Sequence, residues 1–240
     1  MISIAPSFLQ FDYTEYSTSN RALDREVGWI PGIQFVGSTN ITAYLRIEFN
    51  ISAYQGVVDY TGRTNQGIAH QTRTDETLSH QGVRLISSLT PRADLFLCAQ
   101  SREWQRDIRD NKGVFGPFEK YTWHELSAGT EAVLSKNTEQ QWRVEIGVLK
   151  IINPELFVDL SRVNAGTAHL SLGEEFGGRV KLTWIYILSN PWTMNVNMYV
   201  ERWNFGSSDL QRTNNGATLV SEPRSETRNA GGQLALLYTF

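Results

Sequence analysis

The chain ends in Gly231-Gly232-Gln233-Leu234-Ala235-Leu236-Leu237-Tyr238-Thr239-Phe240. Side chains on a β-strand point alternately to its two faces. Gly232, Leu234, Leu236, Tyr238 and Phe240 therefore share one face, and Gln233, Ala235, Leu237 and Thr239 the other. The stretch reads as a strand with a continuous apolar face that ends on an aromatic residue. What it implies for the fold depends on whether the pattern recurs upstream.

It recurs throughout the chain. Ile41, Ala43, Leu45, Ile47, Phe49, Ile51 and Ala53 alternate with Thr42, Tyr44, Arg46, Glu48, Asn50, Ser52 and Tyr54. That run spans roughly 40 Å at the usual rise, longer than most soluble strands. Its polar face carries an Arg and a Glu at its centre. The same alternation appears over residues 8–16, 27–37, 79–89, 93–105, 121–134, 141–157, 179–188 and 192–201. Ten segments result. Short connections at 38–40, 90–92, 137–140 and 190–191 alternate with long polar stretches near 17–26, 63–77, 106–120, 161–173 and 204–230.

Composition excludes several classes. Among 240 residues, 40% are hydrophobic and the net charge is -3, which argues against a general nucleic-acid binder. Mean hydropathy is -0.33, and no apolar run reaches the 18 or so residues of a transmembrane helix. One cysteine, Cys98, excludes a disulfide framework and reads as an inert buried thiol. Arg outnumbers Lys, as fixed, partly buried ion pairs favour. Met1-Ile2-Ser3-Ile4-Ala5-Pro6 lacks the basic and long apolar regions of a signal peptide. The expectation is a mature form with an added start Met.

The closing Tyr-x-Phe strand resembles that of Gram-negative outer-membrane β-barrels. In that family the terminal aromatic and the alternating residues before it are read by the barrel-assembly machinery, so the resemblance gives Tyr238 and Phe240 the role of assembly signal. Phe11-Asp12-Tyr13-x-Glu15-Tyr16, followed by Leu23-Asp24-Arg25-Glu26-x-Gly28-x-x-Pro31-Gly32, is also similar to proteobacterial outer-membrane proteins. An even strand number with short turns at one end and long loops at the other is the layout of such barrels. The expected fold is all-β: one antiparallel up-and-down transmembrane β-barrel of about ten strands over residues 1–240, with a soluble lipocalin-like or double-sheet protein as runner-up. The implied partners are outer-membrane lipid, lipopolysaccharide and the assembly machinery, and the expected state is a monomer.

Polar faces then point into the lumen. The expected charge network is Arg46, Glu48, Arg84, Arg102, Glu125, Glu131, Arg143, Glu145, Arg179 and Glu201, with Asp12, Asp94 and Lys181 beside it. Its signs nearly balance. A small barrel can be filled by its own side chains, so the lumen is expected to be salt-bridged and largely plugged. This suits a structural or surface-interaction barrel, with a narrow solute channel as the alternative.

Catalysis has little support. Size and layout are similar to the omptin proteases, whose site pairs Asp-Asp with Asp-His, but neither couple can be placed here. The histidines are His70, His80, His124 and His169. Asp75 with His70 and His80 is the nearest cluster, and His124-Glu125-x-Ser127 is similar to lipid A deacylases only in containing a His and a Ser. No cysteine–histidine metal spacing and no phosphate-binding Gly loop occurs, so no metal or cofactor is expected. Arg63, Arg73, Arg106, Arg109 and Lys120 read as solvated loop cations able to meet lipid phosphates.

Overall fold

Seven long strands come first: β1 (Ile2–Tyr16), β2 (Ala22–Asn40), β3 (Leu45–Arg63), β4 (Ala69–Thr90), β5 (Ala93–Ile108), β6 (Phe118–Lys136) and β7 (Gln140–Asp159). Short pieces follow, β8 (Thr167–Ser171) and β9 (Gly173–Glu174), then β10 (Phe176–Ser189) and β11 (Trp192–Gly206). A small hairpin, β12 (Gln211–Arg212) with β13 (Leu219–Val220), precedes the last strand, β14 (Arg224–Tyr238). This computed structural model describes residues 1–64, 67–189 and 191–239.

Each long strand pairs antiparallel with its neighbour, β14 closes on β1, and β7 pairs with β10 across residues 140–150 and 176–186. The result is a closed antiparallel barrel of ten strands, as expected. Closure leaves no sheet edge, which lipid demands because it offers backbone groups no partner.

The lipid-facing belt is explicit. Ile4, Phe8, Phe35, Phe49, Ile51, Leu97, Leu126, Ile146, Val148, Met198, Val200 and Leu234 all point outward, and Leu97 and Val148 are each 64% exposed. On β11 the outward apolar run Trp192–Val200 is nine residues long. That is roughly 30 Å along the strand and, with a tilt near 40°, roughly 23 Å across the belt. Aromatic side chains rim it. Trp192 and Tyr238 meet at 5.0 Å and Trp142 and Trp184 at 6.1 Å at the short-turn end; Phe8 and Trp29 meet at 5.7 Å at the other.

The strands run to 22 residues, about twice the 9–11 a bilayer needs. The excess stands above the belt, and there the sequence expectations need correction. Residues 63–77 were expected to form a long loop, yet β3 and β4 stay paired from Val57↔Asp75 up to Arg63↔Ala69. Likewise β2 begins at Ala22, β5 runs to Ile108 and β6 begins at Phe118. These stretches are polar because their outer face meets water, not because they leave the sheet. At the short-turn end, the turn expected at 38–40 falls at 41–44. The Thr42 hydroxyl accepts the amides of Tyr44 and Leu45 at 3.2 and 3.0 Å, which ends the strand locally. Of the turn expected at 190–191, Asn190 lies outside the described residues.

Above the belt the polarity of the two faces inverts. On β1, Ile2, Ile4 and Phe8 point to lipid while Ser3 and Ser7 point inward; further up, Gln10, Asp12 and Thr14 point outward while Leu9, Phe11 and Tyr13 are buried inside. Asp12, expected in the lumen, therefore lies on the outer wall, where it pairs with Arg25 at 2.6 Å. On β7 a bulge then shifts which residues face inward. Asn153 takes a left-handed φ of 47°, a conformation Asn tolerates. Thr122 pairs with Glu155 and His124 with Ile152, so Asn153 and Pro154 together oppose Trp123. Leu149 and Ile151 point inward below the bulge, and Leu156 and Val158 above it.

Candidate functional site

The lumen holds three tiers of buried charge. In the lowest, Arg84 on β4 reaches Glu145 on β7 at 2.8 Å and Glu131 on β6 at 3.5 Å. Arg143 bridges Glu131 at 2.8 Å and also contacts Asp94, and Lys181 reaches Glu145 at 2.6 Å. Register explains the need for them. Asp94 pairs directly with Glu131, and Glu131 with Glu145. Like charges directly opposite destabilise a sheet, so Arg84 and Arg143 bind this acidic row together. Gly129 and Gly147 leave room for the Phe96 ring, and Arg84 lies 3.9 Å above its centroid.

The middle tier crosses the barrel. Arg102 on β5 donates two hydrogen bonds to Glu201 on β11, at 2.9 and 3.2 Å, and pairs with Glu125 on β6 at 2.9 Å. Arg179 contacts the same Glu201, Gln100 donates to Glu125 at 2.7 Å, and the Arg102 guanidinium sits 5.2 Å from the Trp203 ring. Ten of the ten expected network residues face the lumen, but they do not form one network. Arg46 and Glu48 line the wall with no oppositely charged side chain within 4 Å among the described residues.

The top tier was missed. Trp104 stacks on Tyr121 at 4.5 Å and meets Tyr13 edge-on at 4.9 Å; Phe11, Phe205, Trp123 and Trp203 complete a buried aromatic plug. Arg106 is set inside it, fully buried. It reaches Glu119 at 2.7 Å, Glu26 at 3.1 Å and Glu15 at 3.2 Å, and stacks over Tyr13 at 4.5 Å. Glu76 accepts from the Trp104 indole, and Asp24 accepts from Tyr60 at 3.4 Å. Glu222 comes from the connection between β13 and β14 and accepts from Tyr121 at 2.8 Å and Tyr13 at 3.2 Å.

Six carboxyls, Glu15, Asp24, Glu26, Glu76, Glu119 and Glu222, thus gather around Arg106. This tier lies above the belt, outside the membrane-spanning part. Burial pushes Glu119 up to about 7 against the opposing pull of Arg106, and burial likewise holds Glu222 well above the ordinary carboxyl range. Sequence reading cut β5 and β6 where their composition turned polar. The alternation of Arg102, Trp104 and Arg106 with Ser101, Glu103 and Gln105 was the signal available.

Below the middle tier lies a cavity of about 340 Å³. Tyr54, Tyr199 and His80 form its ceiling, with the Tyr54 and Tyr199 hydroxyls 3.5 Å apart, and its walls descend to Met1 and Thr239 at the short-turn rim. The two upper tiers lie between this cavity and the long-loop end.

The sequence-derived catalytic clusters do not assemble. Asp75 points outward to pair with Arg109 at 2.6 Å, His80 points into the lumen, and His70 lies beside Tyr60. His124 is exposed on the outer wall while Ser127 lines the cavity. No group of three metal-binding side chains occurs among the described residues. Of the expected loop cations, Arg106 is buried, whereas Lys120 pairs with Glu103 at 2.8 Å on the outer wall and Arg73 lies 3.7 Å from Asp59. Tyr238 packs on Trp192 at the belt's lower edge; Phe240 lies outside the described residues.

No family model and no curated protein matches the chain. Solved structures do. The outer membrane protease OmpT of Escherichia coli is similar over 100% of this chain and 97% of its own, with a TM-score of 0.57 and 12% identity. The transport unit of the autotransporter AIDA-I of Escherichia coli gives 0.51 at 8% identity over 100% and 90%. The translocator domain of the autotransporter NalP of Neisseria meningitidis gives 0.50 at 10% over 100% and 88%. At these identities the likeness is one of fold, that of bacterial outer-membrane β-barrels. Together with the closed sheet and its apolar belt, it makes the chain an outer-membrane protein.

Proposed function

We propose that this protein is a closed, non-conducting outer-membrane barrel, held shut by its own lumenal side chains, whose outer end serves a structural or surface-interaction role. The observation that carries this reading is the cross-lumen pair of Arg102 and Glu201 beneath the aromatic plug. A path for ions would have to pass both. The belt runs around the whole barrel, which supports a monomer in lipid. Just above it Arg202 and Arg228 stand on adjacent strands, sharing Glu226 between them, with more than half of each side chain exposed; two cations on one carboxylate leave positive charge that suits lipopolysaccharide phosphates. Tyr238 at the barrel's closing strand supports the assembly-signal role for the chain's end. Planar-bilayer recording tests the reading: the refolded protein is expected to give no steps in the nanosiemens range, and reproducible steps of that size would exclude it.

The cavity under the plug favours one second reading, a narrow solute path that opens only when the plug rearranges.

A further inference from the structure

Arg46 and Glu48 sit two residues apart on the inward face of β3, in the wall of the lower cavity. Every other charged side chain of the wall has a partner. Arg84, Arg143, Arg179 and Lys181 each reach a carboxylate, and Glu131, Glu145 and Glu201 each reach a cation. Glu48 stands directly opposite Arg84 in the β3–β4 register and acts on it through its field, but makes no ion pair within 4 Å of it, whereas Glu145 and Glu131 do. The lining also carries polar atoms that are buried without a hydrogen-bond partner among the described residues, on Arg46, Asn195 and His80 as well as on the ion-paired Arg84, Arg143, Arg179 and Glu145. Buried donors and acceptors in native proteins are nearly always satisfied. This wall offers a cation outside every ion pair, a carboxylate that only shares Arg84 across the sheet, and spare donor and acceptor groups, all facing one space.

A free anion would gain Arg46 but meet Glu48; a free cation would meet the reverse. A molecule carrying both charges a few bonds apart satisfies the two together. At about 340 Å³ the cavity is at the small end of ligand pockets, and its neutral lining mixes polar side chains such as Asn50, Ser52, Asn195 and Gln233 with apolar ones such as Val36 and Ile185. We propose that the lower cavity is a binding site for a small zwitterionic solute of the amino-acid or short-peptide class, entering from the short-turn end, with Arg46 receiving the carboxylate and Glu48 the ammonium. The proposal rests on the closed lumen of the preceding section, since the ceiling at Tyr54, Tyr199 and His80, with Arg102 above it, makes the cavity blind.

The test uses the full chain refolded in detergent, its folding verified by a heat-dependent shift in gel mobility, with glycine and diglycine as probes followed by saturation-transfer NMR. Saturable binding of at least one probe is expected, with acetate and methylammonium binding at least tenfold more weakly. Arg46→Gln and Glu48→Gln should each weaken binding about tenfold or more while leaving the mobility shift intact, because neither residue makes an ion pair within 4 Å and Arg84 keeps Glu145 and Glu131. No saturable binding of either probe, equal binding of acetate, or binding indifferent to both substitutions overturns the site. Bilayer conductance recorded on the same preparation separates the two claims: probe binding together with nanosiemens steps would keep the site and remove the closed lumen.

Discussion

Arg102 on β5 and Glu201 on β11 join walls on opposite sides of the barrel through two hydrogen bonds of 2.9 and 3.2 Å. Arg102 is 1% exposed and Glu201 5%, so the pair is desolvated and its fork geometry decides its worth.

Removing one partner leaves the other charge buried. Arg102→Ala is expected to cost about 3–5 kcal/mol, read as a lower unfolding midpoint in detergent. The double variant with Glu201→Gln should recover part of that loss. If the single and double variants unfold together, the pair is not coupled as described.

The plug itself can be cut. Trp104→Ala removes the ring stacked on Tyr121 and strips Glu76 of its indole donor. A loss of about 3–5 kcal/mol is expected, and current leakage should appear in bilayers where the unaltered protein gives none. A variant as tight as the parent would show that the middle tier alone closes the lumen.

The connection over residues 207–223 should loosen with rising pH. It is docked through Glu222, which meets Tyr13 and Tyr121 while Glu15, Glu119 and Arg106 face the same space from β1, β6 and β5. Glu222 has a raised value in the folded state, so the folded state holds the proton more tightly. Its contribution is complete below the unfolded carboxyl value of about 4.3 and is lost as pH rises through the folded value. Glu119, at about 7, adds to the loss between roughly pH 4.3 and 7. Protease nicking of 207–223 should increase over that range, and Glu222→Gln, which stays neutral, should flatten the dependence. Nicking independent of pH in the parent would contradict this account.

Gly129 is needed for space. A Cβ there would lie 2.2 Å from the Ile146 carbonyl oxygen and 2.7 Å from the Phe96 ring, displacing the ring that carries Arg84. Gly129→Ala should cost about 1–3 kcal/mol, visible as mobility that shifts at a lower heating temperature. An unchanged transition would show that the wall absorbs the methyl group.

Within the belt, sequence alternation was enough to orient nearly every side chain. Val83 and Leu85 against Arg84, or Trp142 and Val144 against Arg143, can be assigned by parity because lipid outside and polar lumen inside make opposite demands on neighbouring residues. Above the belt the same parity persists on β1 while its meaning reverses, and on β7 a bulge shifts the parity itself. Leu9, Phe11 and Tyr13 are core there, and Asp12 is surface. Composition alone marks residues 63–77 and 106–120 as solvated, which is correct for one face of each strand and says nothing of the other. Arg106 and Glu119 were hidden for that reason.

By itself the sequence determined the closed ten-stranded barrel, its belt and the inward direction of Arg102, Glu201 and their neighbours, because a period of two against lipid is a local property of each strand. Only the tertiary structure decided which inward charges meet. Arg102 and Glu201 are 99 residues apart, Arg106 draws carboxyls from β1, β2 and β6, and Arg46 and Glu48 are left outside the ion pairs. Pairing across a lumen depends on strand order, register and tilt around the closed ring, and no single strand carries that information.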